Sequence, residues 1–271
     1  YWWSNDSLRL HFRDYPAADP ATPRPPIICI PGLTRNARDF EKVAERLAGA
    51  WRVICVDLRG RGDSGYAKDP MSYVPLVYVQ DVEALLADLL EISRHDAGAA
   101  VLELEPTDLY AVVARAVASA EPIARMRGSS VSVERTGASA VAEIDSRRIE
   151  RILRNLVVNA VEHGEGKPVV VHVGENETSV AVVVEDHGVG LRAGEASLVF
   201  NRFWRADPAR ARTTGGTGLG LAISLEDARL HHGWLQAWGE PGEGSRFRLT
   251  LPKSPTQHIA AAPLPLTPTE V

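Results

Sequence analysis

At 271 residues the chain has room for two modest domains or one large one, and 45% apolar content supplies real cores. The net charge of −5 is spread evenly, with 11 basic and 12 acidic side chains in residues 1–90 and 19 and 23 in the rest, which argues against a nucleic-acid-binding surface. No apolar run approaches the ~18 residues of a membrane span and no basic-then-apolar leader opens the sequence, so a cytoplasmic chain is expected; its first residue is Tyr, as in an excerpt.

Pro16 to Pro26 is a proline-rich loop, since proline suits neither a helix interior nor a central strand. Pro-Ile-Ile-Cys-Ile (26–30) and Arg-Val-Ile-Cys-Val-Asp (52–57) are short apolar runs on either side of a helical segment, Ala37 to Ala48. That pattern predicts a βαβ unit with buried parallel strands. Cys29 and Cys55 each lie inside one of those runs and read as buried structural thiols. Asp81 to Gly98 reads as one helix, with leucines at 85, 86, 89 and 90 and a glycine at its end.

Pro31-Gly32-Leu33 after the first strand and Asp57-Leu58-Arg59-Gly60-Arg61-Gly62-Asp63-Ser64-Gly65 after the second resemble the α/β-hydrolase family over residues 1–89. The resemblance implies that Leu33 would supply an oxyanion-hole N–H. Such an enzyme needs a nucleophile on a G-x-S-x-G turn, and no such turn occurs anywhere in the sequence. Ser64 reads as a loop serine, because no His and Asp are placed to activate it. The family pattern further implies that strand 26–30 is left with an unpaired apolar edge, so this segment is expected to be poorly folded alone or covered by the second domain.

Past residue 98 the pattern changes. Helices are expected over Asp108–Ala120 and Ser146–His163 and from about Thr217, and strands over Val131–Arg135, Ala140–Ile144, Pro168–Val173, Ser179–Glu185, Trp234–Trp238 and Ser245–Leu251. Together they predict an α+β layer, one mixed sheet with its helices on one face. The tail, Lys253 to Val271, is rich in Pro, Ala and Thr and is expected to be disordered.

Several patches in this half carry chemistry. Asn155 and Asn159 are one turn apart on the helix 146–163, where side-chain oxygens could hold Mg²⁺, although a solvated face has the same spacing. Asp186-His187-Gly188-Val189-Gly190 places a carboxylate at a strand end, with glycines that let a base ring approach. Gly215-Gly216-Thr217-Gly218-Leu219-Gly220 opens a helix with N–H groups suited to an anion. Gly242-Glu243-Gly244-Ser245 reads as a hairpin turn.

In this order and spacing, and with Val199-Phe200-Asn201-Arg202-Phe203-Trp204-Arg205, the patches resemble the ATP-binding domain of sensor histidine kinases, within the family shared with gyrase and Hsp90-type ATPases. The resemblance runs from about Leu90 to Pro252. It implies that Asn159 ligates Mg²⁺ with Asn155 near the phosphates, that Asp186 reads the adenine amine, and that His163, Gly188 and Gly190 shape the base pocket. Gly216, Thr217, Gly218, Leu219 and Gly220 would cradle the phosphates of ATP, and residues 201–216 would form a lid with Arg202 or Arg205 near the γ-phosphate. Hydrolysing relatives carry a Glu as general base where this chain has Asn155, so kinase chemistry with little hydrolysis is implied.

The phosphoacceptor motif of such kinases, S-H-E-L-R-T-P, does not occur in these 271 residues, and His95 resembles a packing residue at the end of the second hairpin helix. The expected fold is therefore a truncated α/β-hydrolase-like sheet (1–89), a junction (90–104), an α+β Bergerat-type ATP-binding sandwich (105–252) and a tail (253–271). The expected function is ATP·Mg²⁺ binding, with phosphotransfer to a histidine acceptor or dealings with a response regulator in trans. The alternatives are an inactive α/β-hydrolase relative and a non-catalytic interaction module.

Overall fold

The computed structural model describes residues 2–4, 8–17, 24–96, 101–137, 140–201, 204 and 219–268. The chain divides into two units, Tyr1–Gly98 and Ala99–Pro208 with Gly218–Val271.

In the first unit, β1 (Trp2–Trp3) pairs with β2 (Arg9–Leu10). A second sheet holds β3 (Phe12–Tyr15) and β4 (Ile27–Cys29); α1 (Glu41–Leu47) leads to its middle strand, β5 (Val53–Val56). β4 runs parallel to β5 and β3 antiparallel to it, so β4 is an edge strand. All four residues of β5 are buried, as a continuous apolar run requires. The helix expected at 37–48 begins as a tight 3₁₀ turn, Ala37–Phe40. α2 (Pro75–Asp96) starts before the Asp81 expected from sequence and buries Val82, Leu85 and Leu89. Cys29 and Cys55 are free thiols in register with one another, and burial first, then the neighbouring thiol, pushes the Cys55 thiol up to about 12. It stays protonated and inert.

The second unit opens with β6 (Glu105–Asp108), α3 (Leu109–Arg127), β7 (Val131–Thr136), β8 (Val141–Ile144) and α4 (Ser146–His163). It continues through β9 (Val169–Glu175), β10 (Ser179–Asp186), the short α5 (Glu195–Leu198), α6 (Gly220–Leu230), β11 (Trp234–Glu240) and β12 (Gly244–Pro252). The main sheet has the order β11-β12-β10-β9-β7, antiparallel except for the parallel pair β7–β9. Alternation sorts its faces. Val169, Val171 and Val173 of β9 and Val180, Val182 and Val184 of β10 share one core with α3 and α4. Helix α4 presents Ile149, Ile152, Leu153, Leu156, Val157, Ala160 and Val161 to it, the 3-and-4 spacing of one helical face. Asp145 caps that helix by accepting the Arg148 N–H.

Three expectations are corrected. β8 belongs to a separate two-stranded ribbon with β6, not to the main sheet. The short polar run Glu105-Pro106-Thr107-Asp108 has no apolar alternation, so its strand escapes a reading based on periodicity. Helix α3 runs on to Arg127 through an exposed Pro122 and stops at Gly128, whose φ of +71° is the left-handed turn that closes helices. The tail expected to be disordered is described to residue 268 and lies on the outer face of the sheet, where Leu264 packs on Ala181 and Val183. Burying a leucine contributes about 2 kcal/mol. Four prolines between 254 and 268 lower the entropy lost on ordering the segment.

Candidate functional site

The site is built where β10 ends and where α4 faces α6. Asp186 is the last residue of β10 and is buried. Its Oδ1 accepts the Gly188 N–H at 2.9 Å and its Oδ2 accepts the Ser245 hydroxyl at 2.5 Å. Ser245 stands opposite Asp186 in the β10–β12 register, so strand pairing fixes the carboxylate's direction. From sequence alone Ser245 reads as part of a hairpin turn. The available signal was the small hydroxyl directly after Gly244, whose positive φ of +106° lets the turn close against the Asp186 carbonyl. Neighbouring Glu185 is pushed up by burial, but Arg246 and His172 outweigh that and hold its carboxyl below the usual range.

The glycines after Asp186 serve close approach between backbones. A Cβ on Gly188 would stand 1.8 Å from the His163 carbonyl oxygen, and one on Gly190 would stand 1.8 Å from that of Glu240. Both would collide with main chain, which cannot swing away. Gly188 thereby seats the loop on the C-terminal end of α4, where the Val189 N–H donates to the same His163 carbonyl at 3.2 Å. The His163 side chain is exposed.

On α4, Asn155 and Asn159 are both half-buried. The Asn155 amide donates to the Gly220 carbonyl at 3.2 Å and to the Ser224 hydroxyl at 3.3 Å. Both amide protons are thus spent on α6, and the side chain has a carbonyl oxygen left to offer, an acceptor suited to a cation and not to a phosphate oxygen. A second tie lies further along the same pair of helices. Asp227 of α6, fully buried, accepts from Arg148 at 2.8 Å and from Arg151 at 2.6 Å. His231, at the end of α6, is held between the Asp145 N–H and the Asp227 carbonyl. Burial pushes the His231 imidazole down, ahead of the opposing pull of the Asp227 carbonyl.

Leu219 is fully buried and Gly220 begins α6, whose first turn has no side-chain cap among the described residues. Arg202, Arg205, Gly216, Thr217 and Gly218 lie outside the described residues. Phe200 packs edge-on against Phe247 with centroids 6.3 Å apart.

In the first unit the hydrolase-like motif is spent on its own loop. The Ser64 hydroxyl donates to the Asp57 carbonyl at 2.7 Å and accepts the His11 N–H at 2.8 Å. Asp57 accepts the Ala37 and Asp63 N–H groups and meets His11 Nδ1 at 2.6 Å. Burial pushes the Asp57 carboxyl up, and those bonds outweigh it and leave it lowered. His11, Asp57 and Asp63 bring potential ligand atoms within 4.8 Å of one another, but Asp57 is already committed to this network. The Leu33 carbonyl accepts from Arg61, and the Leu33 side chain is exposed. Among the described residues no helix is long and apolar enough to cross a membrane.

Comparison with known proteins bears on both units. The profile of the "alpha/beta hydrolase fold" family matches residues 25–98, and that of the "Histidine kinase-, DNA gyrase B-, and HSP90-like ATPase" family matches residues 144–255. Over 186 residues, 69% of this chain, the sequence is 56% identical to sensor histidine kinase MtrB of Mycolicibacterium paratuberculosis. It is 36% identical over 201 residues to the signal transduction histidine-protein kinase AfsQ2 of Streptomyces coelicolor. The chain spans about a third of the length of these curated relatives, 33% and 36%. Among solved structures, full-length ShkA in complex with AMPPNP aligns with a TM-score of 0.60 and 26% identity, covering 73% of this chain and 41% of that one. Acinetobacter baumannii histidine kinase AdeS shares the fold, with a TM-score of 0.55, 24% identity and coverage of 69% and 87%. The region around α4, β10 and α6 therefore belongs to the histidine kinase-, DNA gyrase B- and HSP90-like ATPase family, and within it is an ATP-binding domain of the sensor histidine kinase type.

Proposed function

We propose that the second unit binds ATP with Mg²⁺ and hands the γ-phosphoryl group to a histidine lying outside residues 1–271 of this sequence. The observation that carries the reading is the Asp186 carboxylate, buried at a strand end and aimed by Ser245 and the Gly188 N–H. A fixed, buried acceptor is what recognition of an exocyclic amine on a flat base requires. Full-length ShkA in complex with AMPPNP, an aligned structure, lends support for the ligand class.

The residues present fit Mg²⁺ and a triphosphate. Asn159 and the Asn155 carbonyl oxygen would face the ion, which when bound neutralises phosphate charge. The first turn of α6 would take the phosphate oxygens. Arg202 or Arg205 would stand near the γ-phosphate. Asn155 cannot abstract a proton, so water is not activated and transfer to a histidine is favoured over hydrolysis. A response regulator as a later partner is an extension of the same reading. Ester hydrolysis is not supported, because the hydroxyl of Ser64 is held by main-chain groups.

Titration with a fluorescent ATP analogue in Mg²⁺ tests the proposal. Saturable binding is expected, weakened at least tenfold by Asn159→Ala and by Asp186→Ala with the fold intact by circular dichroism. Binding that ignores both substitutions, or no binding, removes the reading.

A further inference from the structure

The outer face of the main sheet carries a feature that the nucleotide site does not use. Gly174 follows Val173 near the end of β9, and Ala181 lies directly opposite it on β10. Two small residues side by side leave a hollow, bordered by Val183. Leu264 of the tail fills it and is 8% exposed. A Cβ on Gly174 would come within 2.8 Å of the leucine's Cδ2, so the glycine makes the room.

Three side chains from the sheet read the tail's main chain. Asn176 Nδ2 donates to the Ala261 carbonyl at 2.9 Å, Ser179 Oγ lies 3.0 Å from both that carbonyl and Asn176 Oδ1 and has one proton to share between them, and Arg248 Nη1 donates to the Leu264 carbonyl at 2.6 Å. These donors are fixed by groups that do not belong to the tail. Asn176 Oδ1 accepts the Thr178 and Ser179 N–H groups of its own turn, and buried Arg248 donates its other nitrogen to Gln236 at 3.0 Å. Pre-set donors for carbonyls beside one side-chain hole are the parts of a peptide-binding slot.

We propose that this face is a binding site for an Ala-Pro-Leu-Pro type segment, with the chain's own residues 259–267 as its resident, displaceable ligand. The hole selects one leucine and the carbonyl contacts set its position. Prolines at 263 and 265 stiffen the segment on either side of the anchor, which lowers the ordering cost on docking.

The test is a shortened chain ending at Thr256, titrated with a labelled peptide of residues 257–268. Saturable binding is expected, with the intact chain at least tenfold weaker because its slot is filled. Gly174→Leu in the shortened chain, or L264D in the peptide, should abolish binding with the circular dichroism unchanged. In the full chain, L264D should speed amide exchange in residues 257–268 while β9, β10 and β12 stay protected. Equal binding to intact and shortened chains, or binding that ignores both substitutions, overturns the proposal. A shortened chain that does not fold, or an L264D tail as protected as the wild type, overturns it as well, because the tail would then be part of the fold.

Discussion

His232 has a φ of +56°, a left-handed conformation that a side chain makes costly. It occupies the position after the end of α6 where glycine normally sits: the His232 N–H donates to the Arg229 carbonyl and the Gly233 N–H to that of Ala228, the paired bonds of a helix-closing turn. The sequence does supply a glycine, one residue later, because a Cβ at Gly233 would stand 2.5 Å from the Thr250 carbonyl oxygen on β12. Packing has thus claimed the glycine that the turn would prefer. His232→Gly should stabilise the chain by a few tenths to about 1 kcal/mol, the relief of strain offset by a more flexible unfolded chain. A urea midpoint raised with unchanged slope is the expected reading. The carboxylate of Asp186 and the glycines behind it were legible from sequence as a group, yet their division of labour was not. Gly188 and Gly190 are required by main-chain contacts, and Ser245 aims the acid from a strand far along the chain.

At the scale of elements, α4 and α6 are locked by polar ties that no periodicity announces. Asp227 takes two arginines from α4, and His231 bridges the start of α4 to the end of α6. His231 satisfies both neighbours only as the neutral ring with its proton on Nδ1, since Nε2 must accept the Asp145 N–H. Its folded-state pKa is lowered, so the unfolded chain binds the proton first as pH falls. Stability is full above the unfolded value of about 6.5 and declines below it, by at most about 1.4 kcal/mol per pH unit for one proton. Unfolding by urea at pH 7.5 and 5.5 should show that decline in the wild type and a smaller one in His231→Gln. Asp57 and Glu185, held low, titrate in a more acidic window. The tail shows the same limit of local reading: its composition cannot form a core of its own, but the sheet supplies one side of it.

Across the whole molecule, the first unit is held by a pair that the hydrolase-like motif supplies. Arg59, from the loop after β5, makes a bidentate bond to Asp81 of α2 at 2.7 and 2.6 Å, both nearly without exposure, and Trp2 donates to the Asp81 carbonyl at 2.7 Å. First strand, loop and last helix meet there. Removing one partner of such a buried pair costs about 3–5 kcal/mol, so Asp81→Ala should let thermolysin cut within residues 1–96 under conditions where the wild type resists. The sequence by itself determined the long elements, because burial along α4 and β9 follows the period of each backbone form, while β10 is a short continuous apolar run. It also determined the family, because the Asn, Asp and glycine patches stand in a fixed order along a continuous stretch. Only the tertiary structure decided what each group is free to do. The Asn155 amide is spent on α6, the Ser64 hydroxyl on its own loop, and the tail on a hollow between β9 and β10. Hydrogen-bond partners and room for a side chain come from residues distant in sequence, and a local pattern carries no record of them.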